Sequence, residues 1–144
     1  MSKVSNGVGV LFYSRSTNRH LFLLRSPDAR GDGPCWGLPG GKVEEGETLL
    51  DALSRECQEE IGQWPEGVRL LPLEMFTAES GRFRYHTFYA QLADEFVPVL
   101  NDEHCGYAWI DVGHFPRPLH RGLFNTLTYD IIQEKIAIIH ANTQ

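Results

Sequence analysis

Apolar positions follow two rhythms along the chain. The β-compatible runs Val8 to Tyr13 and Leu21 to Leu24 flank a turn-rich stretch from Ser14 to Asn18, which predicts a hairpin. Val68 to Phe76, Phe83 to Leu92 and Tyr107 to Ile110 read as further strands. Between Leu119 and His140 the spacing changes. Leu119, Leu123, Leu127, Ile131, Ile132, Ile136 and Ile139 recur at helical intervals and predict one long C-terminal helix. Two unusual pieces separate the hairpin from the middle strands. From Gly31 to Gly46, glycines at 31, 33, 37, 40, 41 and 46 and prolines at 34 and 39 predict a turn-dominated loop. Thr48 and Asp51 then have capping-box spacing and Gly62 is a natural C-cap, so a helix is expected over about 48 to 61.

The 144 residues show no repeat and no low-complexity linker, so one α/β domain over 1–144 is expected. A 42% hydrophobic content argues against disorder. The net charge of −6 argues against broad binding to nucleic acid or anionic membrane, which needs a clustered basic surface. Cys35, Cys57 and Cys105 are too scattered for a disulfide framework or a zinc knuckle. The apolar runs before Arg15 are too short for a signal sequence or a membrane span. A reducing, cytoplasmic setting is the expectation.

On a wheel of about 100° per residue, Leu49, Leu50, Leu53, Cys57 and Ile61 share one arc, the expected buried stripe. Glu60 falls inside that arc, Glu56 at its edge and Glu59 beyond it. An ionised carboxylate among apolar neighbours is costly unless it is paired or bound to metal. Arg55 projects from the far side, together with Asp51 and, two turns back, Glu47. It is therefore read as a clamp on the preceding loop and not as the partner of the inward carboxylates. From Gly41 to Glu60 seven acidic residues face only Lys42 and Arg55, a local charge of −5. Such oxygen-rich clusters select hard cations such as Mg2+ or Mn2+. For Glu44, Glu45 and Glu59 alone a solvated helix face explains the charge equally well; for Glu60 it does not.

Gly41, Glu47 and the run Arg55-Glu56-Cys57-Gln58-Glu59-Glu60-Ile61-Gly62 stand in register with a known pattern. The spacing resembles the Nudix box, G-x5-E-x7-R-E-U-x-E-E-x-G-U, and the preceding Trp36-Gly37-Leu38-Pro39-Gly40 is similar to the lead-in of MutT-like members. Gln63 departs from the box at its terminal aliphatic position. The resemblance implies a Nudix α/β/α sandwich with a mixed sheet, a catalytic loop and helix, and the C-terminal helix. It also implies hydrolysis of a nucleoside diphosphate linked to another group. By motif position Glu56, Glu60 and Glu59 are the expected metal ligands, joined by the Gly40 carbonyl, while Glu47 and Arg55 match the pair that braces loop against helix.

The general base in this family comes from the box or from a later loop. Glu103, in Asn101-Asp102-Glu103-His104, is a loop candidate, and a solvated turn is its plainer reading. Arg25 directly follows the second predicted strand, where it is a candidate phosphate contact or an ordinary surface arginine. Arg82, Arg84 and His86 alternate with apolar residues and read best as a solvated strand face. Trp36 reads best as a packing residue. No Walker loop, dinucleotide fingerprint, H-E-x-x-H or nucleophile elbow is present. The expected substrate is a nucleoside triphosphate or related nucleotide, with nucleoside diphosphate sugars next. A nucleotide sensor without chemistry would not need every charged anchor of the box.

Overall fold

The computed structural model describes residues 4–27 and 33–142, so Gly31 of the glycine-rich loop lies outside the described residues. Among the described residues seven strands form one mixed sheet: β1 (Ser5–Ser14), β2 (Arg19–Arg25), β3 (Trp36–Gly37), β4 (Gly40–Lys42), β5 (Arg69–Thr77), β6 (Phe83–Leu92) and β7 (His104–Asp111). The main path runs β3-β2-β1-β6-β5, with β4 paired to β1 and β7 paired to β2. β1 and β6 run parallel over ten register pairs, from Ser5–Phe83 to Ser14–Leu92. The remaining pairings are antiparallel.

β1 is apolar almost throughout because both of its faces are covered. Val8, Val10 and Phe12 turn toward α1 (Leu49–Ile61), where they pack with Ala52, Leu53, Cys57 and Ile61. Leu11 and Tyr13 turn the other way, toward Leu123 and Leu127 of α2 (Arg121–Thr128) and Ile132 and Ile136 of α3 (Asp130–Ala141). This alternation is the period of two of a strand, here with helices on both sides. The result is the α/β/α sandwich.

The C-terminal helical stretch is broken, contrary to the single helix its spacing predicts. Tyr129 is extended, at φ −75° and ψ 125°, between α2 and α3. Thr126 and Thr128 donate their hydroxyls to the carbonyls of Gly122 and Phe124, four residues back, a contact that bends helices. Threonine and tyrosine also have modest helix propensity. Leu119 lies ahead of α2, bridged to Trp36, and Ile131 is exposed.

On the face that carries α3, Tyr89 places its hydroxyl 2.7 Å from His20 Nε2 and 2.6 Å from His140 Nε2. One hydroxyl has one proton, so it donates to one imidazole and accepts from the other. Burial, and then the charge of His140, hold His20 down at about 3. An unfolded chain takes up this proton near the ordinary value of 6.5, while the folded chain refuses it until about 3. The contribution is therefore complete above 6.5 and is lost as pH falls toward 3. In urea titrations at pH 7 and pH 5, His20→Gln should lose less stability between the two than the parent, by up to about 1.4 kcal/mol per pH unit. Equal losses would show that His20 carries no proton linkage.

Candidate active site

The site forms where β1 and β2 part. They pair only at Tyr13–His20 and Ser14–Arg19. Beyond that point β1 takes β4 as its partner, through Gly7–Lys42, Val8–Gly41 and Gly9–Gly40, while β2 takes β3 through Leu23–Gly37 and Leu24–Trp36. The glycine-rich segment is thus folded into the split of the sheet as two very short strands, which its composition concealed. Gly40 and Gly41 have a steric reason to be there. A Cβ on Gly40, whose φ is +155°, would lie 2.0 Å from the Val8 carbonyl oxygen, and one on Gly41 would lie 2.3 Å from Glu56 Oε2. Absence of both side chains lets a carboxylate approach the β4 backbone.

α1 begins with the reciprocal cap: Thr48 Oγ1 accepts from the Asp51 amide and Asp51 Oδ2 accepts from the Thr48 amide. It ends at Gly62 in the left-handed conformation. The buried stripe is as the wheel predicts for Leu53, Cys57 and Ile61, but Leu50, in the first turn, is 53% exposed. Glu60 lies inside the stripe and is only 2% exposed. Its Oε1 accepts from the Gly40 amide at 3.1 Å. Burial first, then the adjoining Glu56 carboxyl, push Glu60 well above the usual carboxylate range; the Gly40 amide pulls the other way and the Glu103 carboxyl adds to the rise.

Arg55 ties the loop before α1 to the helix. Its Nε and Nη2 donate to the two carboxylate oxygens of Glu47 at 2.8 and 2.9 Å, and Nη2 also donates to the Lys42 carbonyl. The Glu47 carboxyl is lowered to about 2, chiefly by Arg55 and then by the Glu44 amide. Its pairing to Glu47 also raises the Arg55 guanidinium above its ordinary value. The separation of Arg55 from the helix carboxylates is corrected: its Nη1 reaches back to Glu56 at 2.6 Å and to Glu59 at 3.3 Å. A long flexible stem carries the guanidinium around the helix, where an i,i+4 partner is in reach. Among the described residues, no cation forms an ion pair with Glu60.

Glu103 follows a turn in which its amide donates to Asn101 Oδ1, and its side chain reaches Glu60. It is part of the cluster, not simply a solvated turn residue. Arg25 ends β2 directly opposite His104. Glu59 is half-exposed beside Arg55. Trp36 packs against the helix-covered core, and Arg82 and Arg84 are exposed, in line with their plainer readings.

Two side chains at the site escape sequence reasoning. Tyr85 lies across Gly7 and Gly9, its hydroxyl where a Gly9 Cβ would be, and burial followed by Glu60 and Glu56 raises its phenol. His104 is 6% exposed and carries a ring nitrogen grouped with carboxylate oxygens of Glu60 and Glu103, all within 4.8 Å of one another. Burial first, and then Arg25, lower its imidazole, while Glu103 opposes them. Crowded carboxylates, one of them deeply buried, together with an imidazole are a donor set suited to a divalent cation.

The NUDIX domain model matches residues 4–128. This chain belongs to the NUDIX family. As a Nudix domain it is similar to the nucleoside triphosphatase NudI of Escherichia coli, with 33% identity over 108 residues, covering 65% of this chain and 76% of that protein. It is 36% identical over 66 residues to an Escherichia coli 8-oxo-dGTP diphosphatase, covering 46% of this chain and 49% of the relative. The match covers 21%, 57% and 40% of three further curated relatives, which it therefore spans only in part. A MutT NUDIX hydrolase from Burkholderia pseudomallei superposes with a TM-score of 0.70 and 25% identity, over 88% of this chain and 97% of that one. The Nudix hydrolase RenU from M. smegmatis gives 0.71 at 24% identity, over 95% and 87%. No helix among the described residues is long and apolar enough to cross a membrane.

Proposed function

We propose that this Nudix domain is a cytoplasmic, metal-dependent pyrophosphohydrolase of nucleoside triphosphates. The observation that carries the reading is Glu60, buried at the split of the sheet against Glu56 and Glu103 with no balancing cation among the described residues. Names of relatives support the substrate class, since nucleoside triphosphatase and 8-oxo-dGTP diphosphatase both denote action on a triphosphate. Glu56, Glu59 and Glu60, with the Gly40 carbonyl, would hold Mg2+ or Mn2+. When bound, such an ion screens phosphate charge and acidifies water. The chain's own residues do the rest: Arg55 and Glu47 fix the loop against α1, Arg25 contacts a phosphate, and Glu103 takes the proton from the attacking water.

A screen of nucleotides with Mg2+, identifying both products, tests this directly. A nucleoside monophosphate and pyrophosphate are expected. A nucleoside monophosphate and a sugar phosphate would reassign the leaving group, and no hydrolysis of any nucleotide would overturn the reading.

Metal should also stabilise the fold, because an ion relieves repulsion that only the native state concentrates. At one hundred times its dissociation constant the gain is about 2.7 kcal/mol, visible as a higher Tm that EDTA reverses. An unchanged Tm from metal-free to saturated protein would count against the site. Arg55→Lys keeps charge but loses the two-pronged grip on Glu47 and the separate contact to Glu56. Turnover should fall at least about tenfold with metal affinity little changed. Loss confined to substrate affinity would make Arg55 a substrate contact instead of a brace.

A further inference from the structure

β7 opens with a register defect, and the two consecutive side chains just ahead of it reach the same carboxylate. Leu24 pairs with Gly106, yet Arg25 pairs with His104, so Cys105 is an extra residue on the β7 side. Glu103 belongs to the turn before β7, outside the alternation of the strand, and His104 is the strand's first residue. Here Glu103 and His104 both bring a donor atom to Glu60. His104 Nδ1 is buried and has no hydrogen-bond partner among the described residues, in a protein interior where polar atoms are ordinarily paired. Two ligands of one ion, each about 2.0 to 2.3 Å from it, stand at most about 4.6 Å apart, so the 4.8 Å grouping needs little closure.

From this geometry we infer that His104 is a nitrogen ligand of the divalent ion, adding one nitrogen donor beside the Glu60 carboxylate. The inference rests on the metal-dependent reading above and goes beyond the box, which supplies oxygen alone. Its chemical consequence is metal choice. A nitrogen donor strengthens binding of every divalent ion of the first transition row, Mn2+ least and Co2+ more, whereas Mg2+ prefers oxygen and keeps its waters. The site should therefore hold Mn2+ and Co2+ more tightly than Mg2+, and His104 should be the reason.

Pulsed electron paramagnetic resonance of the Mn2+-loaded full chain reads the bond without reference to activity. A nitrogen modulation typical of directly bound imidazole is expected, changing from the 14N to the 15N pattern when the protein is grown on 15N-histidine. His104→Gln should abolish it while Mn2+ stays bound, at least about tenfold more weakly, and Mg2+ affinity moves by less than about threefold. Mn2+ bound to the parent without histidine coupling, or coupling that survives in His104→Gln, would overturn the assignment while leaving the carboxylate site intact. Failure of the metal reading looks different: the parent then binds no Mn2+, or binds it as well after Glu60→Gln, and both inferences fall. Should His104→Gln not fold, the isotope comparison in the parent decides. Among the described residues His104 is the histidine in that donor group.

Discussion

Glu60→Gln should remove metal-dependent hydrolysis, with turnover down about a thousandfold or more, and should at the same time make the metal-free protein harder to unfold. Glutamine keeps the volume and discards the charge. Because Glu60 is buried against Glu56 and Glu103, its proton affinity in the folded state lies above that of an unfolded chain. The sign follows from linkage. Such a group favours the fold fully below the ordinary value of 4.5, and that contribution is lost as pH rises through the folded-state value. At neutral pH, between those two values, the metal-free parent must take up a proton at Glu60 in order to fold, a cost that the variant lacks. Its Tm should rise relative to the parent without metal, and the Mg2+-induced rise in Tm should disappear. Removing a ligand forfeits several kcal/mol of transition-state stabilisation, hence the scale of the kinetic loss. Near-parental turnover, or a variant still stabilised by Mg2+, would remove Glu60 from the site.

The half of the site that lies on α1 was legible because helical spacing is local. Thr48, Asp51 and Gly62 mark the ends of the helix, and the inward aim of Glu60 follows from its angle to Leu53 and Cys57. The brace between Arg55 and Glu47 was legible for the same reason. Reach was not: a wheel treats Arg55 as a direction, whereas its guanidinium extends far enough to meet Glu56 and Glu59. Direction does not guarantee cover either: Leu50 shares the apolar arc and lies exposed in the first turn. The other half depends on pairing between distant strands. The start of β7 is placed by its pairing with β2, so nothing within Asn101 to Cys105 announces that His104 joins Glu103 at Glu60. The short strands β3 and β4 likewise arise because β1 and β2 separate, and the break at Tyr129 because threonine hydroxyls compete with the helix in a segment whose apolar spacing continues unbroken.

Glu103→Gln should lower turnover by about 100 to 10,000 fold, the range for loss of a general base. The side chain enters the site from the turn before β7, not from α1, so it approaches from a different element than Glu56, which is tied to Arg55. Its proximity to Glu60 is also what a ligand would show, and the two roles separate in the measurements. A base removes a proton, so its loss should flatten the acidic limb of the pH profile and leave the dependence on metal concentration nearly unchanged. A ligand holds the ion, so its loss should shift metal dependence to higher concentration, and saturating metal should restore much of the rate. Both proteins must therefore be compared at saturating Mg2+, where a weakened site no longer imitates a missing base. A loss of only a few fold under those conditions would return the base to the box, with Glu56 or Glu59 as the next carboxylate to test.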